Sequence, residues 1–186
     1  MSDLNRLTTL LAERSAKRGH FVLASGRQST LYIDARLTTM SPDGLALIGP
    51  LGLAAVCDAG WNVDSVGGLT LGADPVSYAI SYASALANTP VRVFTVRKEA
   101  KGHGTGRRIE GSFREGDRVA VVEDVITTGG SALNAVRALR DAGATVAGVL
   151  ALVDREEGGR EALEAEGLSV ISLVRASVIV DQLDAG

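Results

Sequence analysis

Two runs, RVAVVEDV (118–125) and TVAGVLALVDR (145–155), are apolar almost without a break, with a helical stretch between them. A strand wetted on one face alternates apolar and polar residues. A strand apolar throughout is covered on both faces, as in a parallel sheet between layers of helices. GGSALNAVRALRDAG (129–143) between the two runs has the length of a crossover helix and ends on a glycine stop.

The same alternation extends along the chain. Leu4, Leu7, Leu10 and Leu11 lie at helical spacing and predict an amphipathic helix over 3–18, closed by Gly19. Residues 21–36 mix short apolar runs with turn residues, which suggests two short strands around a Ser-Gly turn. Ser41-Pro42-Asp43 opens a helix over 41–60, which Pro50 should kink or interrupt. Further along, the pattern predicts strands over 63–68, 91–97 and 168–174, and helices over 73–87 and 159–166. The stretch 98–117 is polar, glycine-rich and basic, and reads as a long loop. No repeat or linker divides the chain, so 186 residues are expected to form one α/β domain. Hydrophobic residues make up 46% and aromatics only 4%, which suits tightly packed α/β layers better than an all-β sandwich.

The bulk chemistry excludes some partners. A net charge of −3 provides no global basic field to attract nucleic acid or anionic lipid. The single cysteine, Cys57, permits no intrachain disulfide and suits a reducing compartment. No run reaches the ~20 apolar residues of a membrane span. The N-terminus carries Asp3 early, with no apolar stretch and cleavage site after it. The expectation is a soluble cytoplasmic protein. Cys57, Trp61 and His20 read as packing or surface residues, and no His/Cys cluster has zinc spacing.

The chemistry concentrates in VAVVEDVITTGGS (119–131), where an apolar strand ends in two adjacent acids, Glu123 and Asp124. The loop Ile126-Thr127-Thr128-Gly129-Gly130-Ser131 then runs straight into a helix. A helix N-terminus offers free N–H groups and the positive end of a dipole. The glycines let the backbone approach an anion, and the Thr and Ser hydroxyls add donors. The adjacent carboxylates suit sugar hydroxyls or a hydrated Mg²⁺. The plain alternative is a strand–turn–helix junction with a Thr cap, but the acids directly before the hydroxyl-rich loop favour a ligand site. The loop lacks the Gly-Lys-Ser/Thr ending of a nucleotide-binding P-loop and is not a dinucleotide fingerprint.

This segment resembles the phosphoribosyl pyrophosphate (PRPP) motif of type I phosphoribosyltransferases. The resemblance implies that family's fold, a central mostly parallel sheet flanked by helices, with a small N-terminal hood over about 1–40 and a core over about 41–175. It implies that Thr127, Thr128, Gly129, Gly130 and Ser131 hold the 5-phosphate, and that Glu123 and Asp124 face the ribose, with Val125 and Ile126 between. Within the family, RKEAKGHGTGRRIEG (97–111) resembles the catalytic loop of the orotate phosphoribosyltransferases. Arg97, Lys98, Lys101 and His103 fall on its pyrophosphate-contacting positions, with Lys101 or His103 as the proton donor and Asp124 beside the reacting sugar. In that family the loop reaches into the dimer partner's site, so a homodimer sharing loop 98–112 is implied.

Two further segments carry the resemblance to orotate enzymes. Arg155, in Val153-Asp154-Arg155, falls where the family reads the orotate carboxylate, and a guanidinium suits bidentate recognition there. The other reading of Arg155 is a salt bridge with Glu156 or Glu157. LASGRQSTLYIDAR (23–36) resembles the hood, with Ser25, Gly26 and Arg27 on its motif and the backbone at Tyr32 and Ile33 facing the pyrimidine, together with Thr127. The other reading of Tyr32 is a buried strand aromatic. Ala24 and Leu71 stand where many family members carry lysines. Backbone amides of Leu69 to Gly72 remain able to bind pyrophosphate, and GGLTLGADP (67–75) also occurs in a branch of the family. The implied reaction joins orotate to PRPP with Mg²⁺. The alternatives are a relative using a purine base or uracil, which would not need Arg155, and a PRPP-sensing regulator. A regulator should carry a nucleic-acid-binding element, and the sequence presents none.

Overall fold

The computed structural model describes residues 1–22, 28–99 and 108–185. Helix α1 (Asp3–Leu10) starts at Ser2, whose hydroxyl accepts from the Asn5 amide at 3.3 Å. A π-helical turn, Leu11–Ser15, continues it. The helix therefore ends at Ser15 and not at residue 18, because Ser15 is claimed by tertiary partners. Its carbonyl accepts from the Asp34 amide at 2.9 Å, and its hydroxyl pairs with that of Thr38 at 2.8 Å. Residues 16–18 instead open strand β1 (Ala16–Val22), which pairs antiparallel with β2 (Gln28–Ile33) in a separate two-stranded sheet, the hood.

A short helix α2 (Arg36–Thr39) leads into α3 (Pro42–Asp58), capped by the Ser41 hydroxyl on the Gly44 amide at 3.2 Å. The helix passes through Pro50 without interruption. Proline removes one hydrogen bond there, and packing on both sides of that turn offsets the loss: Ile48 and Gly52 are buried.

The main sheet uses β3 (Ser65–Leu69), β4 (Arg92–Val96), β5 (Ile109–Gly111), β6 (Arg118–Ile126), β7 (Thr145–Asp154) and β8 (Val170–Arg175), in the order β5-β4-β3-β6-β7-β8. Every neighbouring pair is parallel except β4–β5. The short edge strand β5 lies inside the stretch read as loop. Between the strands run α4 (Ala73–Leu86), α5 (Gly130–Asp141) and α6 (Gly159–Ala165), and α7 (Ala176–Ala185) ends the chain.

The two faces of the sheet carry separate cores. Val66, Ala120, Val122, Leu150 and Leu152 pack with α1, α3 and α4 on one side. Val119, Val121, Val149 and Ala151 pack with Leu139 of α5 and Leu163 of α6 on the other. This double coverage explains why β6 and β7 read as unbroken apolar runs. Truncating a fully buried leucine such as Leu139 to alanine should cost ~2–5 kcal/mol. The chain runs outward from β3 to β4 and β5, then returns to place β6 on the other side of β3. The carboxyl ends of β3 and β6 therefore flank a topological switch point, where open α/β sheets bind ligands. Among the described residues no helix is long and apolar enough to cross a membrane.

Candidate functional site

A cavity of about 430 Å³ opens at this switch point. Its walls come from five places: the end of the hood and the turn after it (Tyr32 to Arg36), the end of β3 (Leu69 to Gly72), Lys98 beyond β4, the end of β6 and its loop (Glu123, Asp124, Val125, Thr127, Ser131), and Arg155 beyond β7. A smaller pocket of about 40 Å³ adjoins it, formed by Glu123 and Val125 through Ala132.

The small pocket has the geometry of an anion cradle. Gly129 caps α5 at φ +79°, a left-handed conformation that L side chains rarely adopt. A Cβ there would also lie 2.9 Å from the Gly159 carbonyl oxygen. This turn aims the α5 N-terminus, with its unpaired first-turn amides, at the pocket. Thr128 and Ser131 are exposed on its rim, while Ile126 is buried beneath it.

Glu123 is almost fully buried, and among the described residues its Oε2 has no hydrogen-bond partner. Burial, and secondarily the neighbouring Asp124, push its carboxyl up to about 8. Burial also raises the Asp124 carboxyl, partly opposed by the Val125 amide, which donates to Oδ1 at 3.0 Å, and by the charge of Arg36. Gly72 lies directly against Asp124: a Cβ at Gly72 would be 2.4–2.5 Å from its carboxylate atoms. The loop bearing Gly72 is anchored by buried Asp74, which accepts from Thr70 Oγ1 at 2.7 Å and from Thr95 Oγ1 at 2.8 Å. The Thr70–Leu71 peptide is cis. The Thr70 amide donates to the Val96 carbonyl at 2.9 Å, so it is not available to an anion. Of the nest expected from Leu69 to Gly72, Thr70 is therefore excluded.

Arg155 is buried at the far wall. Its Nη2 donates to Glu157 Oε1 at 2.6 Å, to Leu31 O at 3.0 Å and to Ser29 Oγ at 3.3 Å. Among the described residues its buried Nε has no acceptor. The two sequence readings of Arg155 are thus not exclusive, since it pairs with Glu157 and also lines the cavity. Glu156 turns away, accepting from the Ser177 amide at 2.8 Å. Tyr32 is 40% exposed on the cavity wall, tilted against Phe21 with ring centroids 5.4 Å apart. The reading of Tyr32 as a buried strand aromatic is therefore wrong, because β2 turns alternate residues outward. Ile33 is buried and lines the same cavity.

Of the basic loop, Lys98 reaches the cavity wall, whereas Arg97 pairs with Glu110 at 3.5 Å. Lys101 and His103 lie outside the described residues, as do Ala24, Ser25, Gly26 and Arg27. Sequence reasoning missed Asp34 and Arg36, which form a bidentate pair at 2.8 and 2.9 Å on the cavity edge. Only their position directly after Ile33, at the end of the hood segment 23–36, could have suggested them. Among the described residues no three His, Cys, Asp or Glu side chains are placed to hold a metal ion by themselves.

Comparison with known proteins decides the family. The phosphoribosyl transferase domain model matches residues 58–181. The orotate phosphoribosyltransferase of Aquifex aeolicus is 48% identical over 183 residues, spanning 97% of this chain and 99% of that protein. The chain belongs to the orotate phosphoribosyltransferases. A second family member, from Pyrococcus furiosus, is 45% identical over 89% of this chain and 88% of its own length. Among solved structures, the Mycobacterium tuberculosis orotate phosphoribosyltransferase in complex with PRPP superposes with a TM-score of 0.82 at 42% identity, covering 96% of this chain and 99% of that one. The six-stranded sheet and the hood found here are thus the family's architecture, and the cavity lies where its parts meet.

Proposed function

We propose that this chain transfers the 5-phosphoribosyl group of PRPP to orotate, giving orotidine 5′-monophosphate and pyrophosphate in pyrimidine nucleotide synthesis. The observation that carries this is the buried Arg155, with an unsatisfied Nε, on the wall of the cavity that also holds the acid pair and the cradle. A purine base or uracil has no carboxylate to engage it, so orotate is favoured.

In this reading Thr127 to Ser131 hold the 5-phosphate, and Glu123 and Asp124 accept from the ribose hydroxyls. Tyr32 and Ile33 lie along the pyrimidine, and Thr127 touches its edge. Orotate N1 attacks C1′ as the bond from C1′ to the pyrophosphate oxygen breaks, with positive charge building on the ribose. The Asp124 carboxylate beside that sugar stabilises the charge, and closure of the cavity keeps water from capturing it. Lys98 lies on the side where pyrophosphate departs. By resemblance Arg97, Lys101 and His103 join it, Lys101 or His103 supplying a proton.

The acid pair fits a divalent metal. It provides hard carboxylate oxygens, one of them buried and unpartnered, but too few ligands for a closed site. Mg²⁺ is therefore held mainly through PRPP, with Glu123 and Asp124 nearby, and supplies charge neutralisation to the leaving group. The protein acts in the cytoplasm as a homodimer, loop 98–112 serving the neighbouring site. The exposed apolar side chains of Tyr78, Tyr82 and Leu86 on α4 support a face covered by a second copy.

Arg155 substitutions test the substrate assignment. A charge-assisted hydrogen bond is worth roughly 1.5–3 kcal/mol, about tenfold to a hundredfold or more in affinity. Arg155→Ala should weaken orotate binding by at least that factor and Arg155→Lys by less, with PRPP binding nearly unchanged. Equal loss of PRPP and orotate binding, or unaltered orotate binding, would refute the assignment.

A further inference from the structure

A guanidinium offers a carboxylate two bidentate edges, Nε with Nη2 or Nη1 with Nη2, and both require Nη2. Here the two N–H bonds of Arg155 Nη2 are shared among three acceptors, Glu157, Leu31 O and Ser29 Oγ. Nε, on the same edge, has none among the described residues. A ligand carboxylate that takes Nε together with Nη2 must therefore displace one of the three.

The acceptors differ in how readily they yield. Leu31 O belongs to β2, held in the hood sheet. Ser29 Oγ is itself tied to Leu31 O at 2.8 Å. Glu157 is a side chain on the turn between β7 and α6, and it is 18% exposed, against 5% for Arg155. Its side chain can turn about its own torsions, which a carbonyl held in a strand cannot. It also carries the same charge as the incoming group, and two carboxylates on one guanidinium repel each other.

We propose that Glu157 occupies the carboxylate-reading edge of Arg155 before substrate binds and is displaced by the orotate carboxylate, making Glu157 a specificity-determining residue. The proposal rests on Arg155 being the orotate reader. A pyrimidine without a carboxylate cannot displace Glu157, so the ion pair stays closed against it. An anionic pyrimidine exchanges one carboxylate for another and releases Glu157 to solvent.

The test measures orotate and PRPP dissociation constants for the full chain, Glu157→Gln, Arg155→Ala and the double variant, with melting curves to confirm folding. A neutral amide competes for Nη2 less strongly than a carboxylate. Glu157→Gln should therefore bind orotate about three- to tenfold more tightly, with PRPP unchanged. Glu157→Ala should move in the same direction, and the gain should vanish in the Arg155→Ala background. Unchanged or weaker orotate binding in Glu157→Gln, with Arg155→Ala still impaired, overturns the role of Glu157 alone and makes it a support for Arg155. Normal orotate binding by Arg155→Ala overturns the Arg155 reading itself, and this proposal with it.

Discussion

Gly72→Ala should separate function from folding. Gly72 has φ −61° and ψ −44°, a conformation alanine adopts freely. Removing a glycine there should leave stability unchanged or raise it by ~0.4–1 kcal/mol, because the unfolded chain loses freedom. The new methyl, however, would lie 2.4 Å from Asp124 Oδ1, where ordinary contact begins at 3.4 Å, so 3.4 − 2.4 = 1.0 Å must be found. The carboxylate is the mobile partner and should swing away. An acceptor displaced by that distance no longer meets a ribose hydroxyl held by the cradle. Losing one charge-assisted hydrogen bond costs roughly 1.5–3 kcal/mol, so the PRPP dissociation constant should rise about tenfold to a hundredfold or more. Calorimetric titration of PRPP with Mg²⁺, beside a thermal melt, measures both quantities. A PRPP affinity within twofold of the unsubstituted chain would refute the placement of Asp124 at the ribose. A melting temperature lowered by many degrees would mean that the backbone yields instead of the carboxylate.

The acid pair makes a pH-dependent prediction. Glu123 is raised from 4.5 to about 8, so the folded chain keeps a proton that the unfolded chain releases. Its stabilising contribution is complete below about 4.5 and is lost as pH rises through about 8, and Asp124 shifts in the same direction. Glu123→Gln cannot ionise, so its stability relative to the unsubstituted chain should increase from pH 5 to pH 8.5 in urea denaturation; parallel pH profiles would contradict the buried, unpaired carboxyl. For the shared loop, mixing Lys101→Ala with Asp124→Asn subunits should restore activity, because one hybrid site is intact, and verified heterodimers without activity would argue against exchange.

The sheet was legible because strands buried on both faces show their burial directly in composition, as Val119 to Val122 and Val149 to Val153 do. The cradle was legible because two acids, a hydroxyl-rich loop and a glycine pair are adjacent in sequence. What sequence reading missed depends on distant partners. The α1 helix ends at Ser15 because Asp34 and Thr38 bind that residue. Strand β5 exists because Ile109 to Gly111 find the edge of β4. Helix α7 carries Val178, Ile179 and Val180, residues that favour strands, and is fixed by packing around the fully buried Ile179. Arg155 could not be assigned to salt bridge or cavity from its neighbours alone, since it serves both and its remaining acceptors lie more than a hundred residues earlier.

The central claim, phosphoribosyl transfer to orotate at this cavity, is tested most directly by the loss of orotate absorbance on mixing the purified chain with orotate, PRPP and Mg²⁺. The same assay should be repeated with excess chelator, and product formation followed with uracil, hypoxanthine or adenine in place of orotate. Turnover is expected only with orotate, PRPP and the divalent cation together. Equal or faster use of another base would contradict the substrate assignment, and full activity in chelator would contradict the role of the metal.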